Sequence, residues 1–116
     1  MTRLKFLEQQ FFSMKKVILF LFIFIFIFLS PVIAEDKMKL GLSVYNDKAQ
    51  CGTCHTLKAA NSNGEIGPNL DLLKPQKSQI IMAVTNGIGV MPPWEGILTK
   101  EEIEAVAYYV LESTND

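Results

Sequence analysis

The sequence predicts an all-α body, three main helices joined by long loops that wrap around a bound group. Three observations carry that expectation. Beyond residue 34, apolar residues recur with helical spacing in three segments, no segment shows convincing strand alternation, and residues 56–76 are rich in Gly, Asn, Pro and Lys. A loop of that length in so small a body is either disordered or folded around something.

Composition separates the chain into two objects. All eight Phe lie at or before Phe28, and residues 1–34 carry four basic side chains and one acidic. The 82 residues from Glu35 onward carry seven Lys, no Arg and eleven acidic side chains, a formal charge of −4. A body of that size is too small for a multidomain enzyme, and one apolar core barely offsets its chain entropy. An acidic body without Arg also makes nucleic acid an unsuitable partner, since phosphate neutralisation needs clustered cations. The two cysteines, Cys51 and Cys54, stand so close that a disulfide between them would remove little unfolded-state entropy. Something else must staple the fold.

The N-terminal 34 residues read as a leader. Met14-Lys15-Lys16 supplies positive charge, residues 17–29 are an unbroken apolar run, and Val32-Ile33-Ala34 places small or β-branched residues where a signal peptidase cuts. Cleavage after Ala34 is expected, with Met14 as the start, because residues 1–13 would be a long preface to a signal sequence. An uncleaved anchor is the alternative; residues 17–34 fall just short of the roughly 20 apolar residues a span requires. The expected location is periplasmic or otherwise extracytoplasmic, with no stable membrane span after cleavage.

The body, residues 35–116, is justified element by element. A first helix over about 36–46 turns Leu40, Val44 and Tyr45 inward, and Gly41 allows a close approach. A second, about 77–86, carries Ile80, Ile81 and Val84 on one side and stops at Asn86-Gly87. The last has the clearest start: Thr99 caps it, Glu102 returns a bond to the Thr99 amide, and Glu101, Glu102 and Glu104 sit in its first turn, where the helix dipole favours them. Its core stripe is Ile103, Val106, Ala107, Val110 and Leu111.

Between the first two helices stands Cys51-Gly52-Thr53-Cys54-His55, the c-type haem attachment pattern. Two thiols at this spacing reach the two vinyl groups of one haem, and the next imidazole falls against the iron. A zinc site would need a second ligand cluster, and a thioredoxin-like redox pair would need a βαβ pattern; the sequence shows neither.

With that motif in place, residues 37–113 resemble the class I monohaem cytochromes c. The order of the pieces is the family's: Gly41 with Tyr45, then Cys51 to His55, Gly67-Pro68-Asn69-Leu70, the helical segment before Gly87, Gly89-Val90-Met91-Pro92, and Tyr108 in the last helix. The interval from Tyr45 to Cys51 is about two residues longer than is usual. The resemblance implies the cytochrome c fold, one haem c held by Cys51 and Cys54, His55 as an axial ligand and a methionine as the other. It implies that Gly41 marks the crossing of the first and last helices near Tyr108 or Tyr109. It also implies that the Pro68 carbonyl accepts the other ring N–H of His55. Among Met38, Met82 and Met91, the last is expected to ligate iron, because glycines and prolines surround it in an irregular segment. Met82 is expected in the core and Met38 as a gap filler. Trp94 is expected against the haem edge or in the core, and Asn69 as a loop brace.

The function these residues imply is one-electron transfer between redox proteins, with His and Met filling both axial positions and no enzyme chemistry of its own. A second reading is the electron-accepting haem subunit of a larger oxidoreductase, since residues 64–92 are similar to small cytochromes associated with sulfite-oxidising molybdenum enzymes. A third is a gas sensor with a labile Met91. Lys58, Lys74 and Lys77 offer at most a small basic rim, read more simply as a solvated loop surface.

Overall fold

The structure, a computed structural model, describes residues 2–115, and the side chains of 29–32 lie outside the described residues. Val32 of the expected peptidase site is among those. Two compact units divide the chain, Met1–Ala34 and Glu35–Asp116. Helix α1 (Thr2–Ser43) supplies the whole described part of the first unit and the opening helical turns of the second. In the first unit the Phe and Ile run is helical, not extended, and its large apolar side chains are exposed.

The second unit holds the core. After Ser43 the chain makes one π-helical turn, Val44–Lys48, then Ala49 and a left-handed Gln50 (φ 50°) before the cysteine motif. A π turn takes up extra residues in a helical path. This is where the long Tyr45 to Cys51 interval is accommodated, and it carries the first helix two residues past its expected end. Val44 and Tyr45 on this turn are each 1% exposed.

Residues 56–76 are not structureless. A two-residue antiparallel ladder joins β1 (Thr56–Leu57) to β2 (Ser62–Asn63), with Leu57 opposite Ser62. A short helix α2 (Leu70–Leu73) follows, its N-terminus capped by the Asn69 side chain, which accepts from the Leu72 amide at 3.3 Å. Asn69 thus braces the loop by capping. Helix α3 (Lys77–Asn86) opens with a Gln76/Gln79 capping box and ends where the Gly87 amide bonds the Ala83 carbonyl. Helix α4 (Lys100–Asn115) opens with the Thr99/Glu102 box, at 2.8 and 3.2 Å.

Helix α4 is the spine of the core, packing on α3, α2 and the π turn. Ile103, Val106, Ala107 and Val110 are buried as the periodicity requires, but so are Ala105, Tyr109 and Thr114. For Ala105 and Tyr109 the cause is the first helix: at Gly41 a Cβ would stand 2.3 Å from the Ala105 carbonyl oxygen and 2.5 Å from the Tyr109 Cβ. The first helix crosses α4 at that point, and Tyr109, rather than Tyr108, is the tyrosine in the crossing. Tyr45 and Tyr109 rings meet there at 5.9 Å between centroids.

Candidate functional site

The cysteine motif is one tight turn. Cys51–Thr53 form a 3-10 helix, and the amides of Cys54 and His55 both bond the Cys51 carbonyl, at 3.1 and 2.9 Å. The following loop wraps this turn closely. The Gly67 amide donates to the Cys54 carbonyl at 2.7 Å, and a Cβ on Gly64 would fall 2.5 to 2.7 Å from the backbone of Cys54, His55 and Gly52. A Cβ on Gly67 would stand 2.5 Å from the His55 ring. These two glycines are therefore required by space, since no side chain fits between loop and motif.

His55 Nδ1 lies 2.8 Å from the Pro68 carbonyl oxygen. A carbonyl only accepts, so Nδ1 carries the proton, and in the neutral ring Nε2 keeps its lone pair. The pair fixes both the tautomer and the ring orientation, as a second partner does for a metal-bound imidazole.

Cys51 and Cys54 are both free and half-buried. Burial pushes the Cys51 thiol up to about 11. Its neutral form is favoured here, and conversion to a thioether removes the titration altogether.

Met38, Met82, Met91 and Trp94 do not share one setting. Met91 is half-buried against the core and exchanges two backbone hydrogen bonds with Ile88, at 2.9 and 3.1 Å. Gly87 (φ 71°) makes that turn possible; a Cβ there would stand 2.5 Å from the Met91 carbonyl oxygen. Trp94 also packs on the core, and its amide bonds the Val84 carbonyl at 2.9 Å, tying the loop to α3. Met38 packs on the core as a filler. Met82 does not: it is 60% exposed on α3. It lies two residues from Ile80, about 200° around the helix, so it points away from the face that Ile80 and Val84 bury. Its core assignment is thus corrected.

The basic rim is also smaller than the sequence suggested, because Lys77 pairs with Glu104 at 2.6 Å. Sequence reading missed Ser62, whose hydroxyl lies 3.0 Å from the His55 carbonyl and 3.2 Å from the Tyr45 hydroxyl. Burial pushes the Tyr45 phenol up to about 12. A lone serine in an Asn-Ser-Asn-Gly stretch carries no sequence signal beyond that of a turn.

The donor set fits a haem: two thiols on one turn, an imidazole with a free Nε2, and a thioether on a braced loop. Apolar side chains stand exposed near Pro68 and beside Met91, Ile66 at 69% and Ile88 and Val90 at 66% and 86%. An apolar macrocycle is the kind of surface such side chains cover.

Fold and site together define a monohaem c-type cytochrome, a protein class that transfers electrons. Residues 36–110 match the family described as cytochrome C oxidase, cbb3-type, subunit III, and the chain belongs to that family. Membership implies a covalently bound haem c. The crystal structure of the c-type cytochrome SorU from Sinorhizobium meliloti superposes with a TM-score of 0.66 at 51% identity, over 69% of this chain and 93% of that one. Cytochrome c6 of Tetradesmus obliquus is 33% identical over 86 residues, 66% of this chain and 92% of that protein. The cbb3-type cytochrome c oxidase subunit FixP of a Bradyrhizobium species is 42% identical over 66 residues, but this chain spans only 22% of it.

Proposed function

We propose that the body from Glu35 onward is an extracytoplasmic single-electron carrier, exported by the 34-residue leader, with no catalytic chemistry of its own. One haem c is bound through Cys51 and Cys54, with His55 and Met91 as axial ligands. The observation that carries this reading is the 2.8 Å contact from His55 Nδ1 to the Pro68 carbonyl, which leaves Nε2 as the ring's donor. When bound, the haem supplies a one-electron couple at iron. The chain does the rest by holding parts still. The motif turn presents both thiols, Gly67 and Pro68 fix the imidazole, and the turn from Gly87 to Met91 seats the thioether. Thioether and imidazole together favour reduced iron over bis-nitrogen ligation. Rigid ligands keep rearrangement small at each transfer. Trp94, just past this loop, packs on the core and ties the chain back to α3.

Partners are redox proteins that dock briefly near the Cys51 side, since turnover requires fast release. A redox titration tests the reading. It should follow a reversible one-electron curve, and the ferrous protein should not bind carbon monoxide at neutral pH; rapid carbon monoxide binding would instead support the gas-sensor reading.

The second reading, a haem-bearing electron-accepting subunit of a larger oxidoreductase such as a sulfite dehydrogenase, is favoured by the family's description as an oxidase subunit. Purification from the native membrane-plus-soluble fraction decides between them: an isolated chain supports the carrier, a stoichiometric catalytic partner the subunit.

A further inference from the structure

We propose that Ser62, seconded by Tyr45, is a positioning residue for the iron ligand: it clamps the His55 main-chain carbonyl while Pro68 holds the ring. The inference rests on the His55-ligated haem proposed above and concerns residues that neither the attachment motif nor the ligand loop contains.

The hydrogen-bond inventory carries it. Ser62 Oγ lies 3.0 Å from the His55 carbonyl, 3.1 Å from the Leu57 amide, 3.2 Å from the Tyr45 hydroxyl and 3.3 Å from the Leu57 carbonyl. A serine hydroxyl donates once and accepts twice. One arrangement fills its whole capacity: it accepts from the Leu57 N–H and the Tyr45 O–H, and donates to the nearer carbonyl, that of His55. Tyr45 is itself within 3.4 Å of the same His55 carbonyl and is 1% exposed, so its phenol has few other partners. The ladder register holds Ser62 opposite Leu57, which fixes the hydroxyl independently of the motif.

The motif also rests on Ser62 sterically. A Cβ on Gly52 would stand 2.7 Å from the Ser62 Cβ, close enough that one of the two backbones must move. The residue after Cys51 is therefore held to glycine by Ser62. His55 is fixed at both ends, its ring by the Pro68 carbonyl and its main chain by the Ser62 hydroxyl, which Tyr45 orients and can replace as donor. Rotation of the ring about the iron–nitrogen axis requires one of these ends to yield.

The test is the low-spin ferric electron paramagnetic resonance spectrum of the haem-loaded full chain, because its g-values follow the orientation of the axial imidazole plane. Ser62→Ala should shift and broaden the largest g-value. Ser62→Thr, which keeps the hydroxyl, should return it to the wild-type position. Tyr45→Phe should leave it nearly unchanged, since Ser62 still donates to His55. The double variant Tyr45→Phe/Ser62→Ala should exceed the sum of the two single effects, because each hydroxyl backs up the other. Gly52→Ala, whose added carbon would stand 2.7 Å from the Ser62 Cβ and 3.4 Å from its hydroxyl, keeps that hydroxyl but displaces it; it should shift the same line and gives a second route should Ser62→Ala not load haem. Wild-type g-values in Gly52→Ala and in the double variant, even with lowered melting temperatures, would overturn the proposal; so would a threonine variant as displaced as the alanine one. A wild-type chain with no imidazole-ligated low-spin signal would overturn the ligand assignment itself, a failure distinct from that of Ser62.

Discussion

Gly41→Ala should destabilise the body by wedging α1 from α4. The added methyl carbon would meet the Ala105 carbonyl oxygen at 2.3 Å, the Tyr109 Cβ at 2.5 Å and the Ala105 carbonyl carbon at 2.9 Å. Two of these are backbone atoms of a buried helix and cannot rotate away, so the crossing must open by about 1 Å to restore ordinary contact. Overpacking of this kind costs about 1–3 kcal/mol, and the rigid neighbours here place it near the upper end. Alanine returns about 1 kcal/mol through helix propensity. The net loss is about 2 kcal/mol, or a melting temperature lower by about 8–16 °C for a domain of this size. Thermal melting of the haem-loaded protein by circular dichroism measures it. An alanine variant as stable as the parent, or more so, would show that Gly41 is only a weak helix residue and that the helices do not meet there.

Further predictions follow from the same contacts. Met91→Ala should abolish the long-wavelength methionine-to-ferric absorption band and lower the potential, whereas Met82→Leu, on an exposed face of α3, should leave both nearly intact; equal effects would mean the wrong methionine has been assigned. Thr99→Ala removes the acceptor of the Glu102 amide and should cost about 1 kcal/mol, with Thr99→Asp close to neutral in the same melt. Lys48, with the Thr99 amide, holds the Glu102 carboxyl below the usual carboxylate range, and Lys77 does the same to Glu104. Folded values below the unfolded ones mean stability that is present above the ordinary carboxylate value of about 4.3 and is lost as pH falls through the depressed one. Melting temperature should therefore drop on acidification, and the drop should flatten in Lys48→Met/Lys77→Met; an unchanged slope would rule out these pairs as its source.

The parts of this fold that were legible in the sequence are those with redundant local signals. Helix α4 combines a capping box with a long apolar stripe, and α3 ends on an Asn-Gly pair, so α4 begins at its expected cap and α3 keeps its expected bounds. The motif at 51–55 is legible because covalent chemistry dictates its spacing. What escaped depends on contacts between distant segments. Two-residue strands have no measurable periodicity, so β1 and β2 read as loop, and with them Ser62. Ala105, outside the apolar stripe, is buried where α1 crosses α4 at Gly41, and only that crossing selects Tyr109 over Tyr108. Met82 was misplaced because a thioether beside two isoleucines resembles core until its angle around the helix is counted.

The pyridine haemochrome spectrum of the purified protein, taken before and after acid-acetone extraction, tests the central claim most directly. Two thioether bonds through Cys51 and Cys54 predict a haem c band that stays with the polypeptide, and a band displaced toward that of a haem with one free vinyl group in Cys51→Ala or Cys54→Ala. Haem that extracts freely from the wild-type chain, or a chain that takes up none in a host competent for cytochrome maturation, would contradict the account.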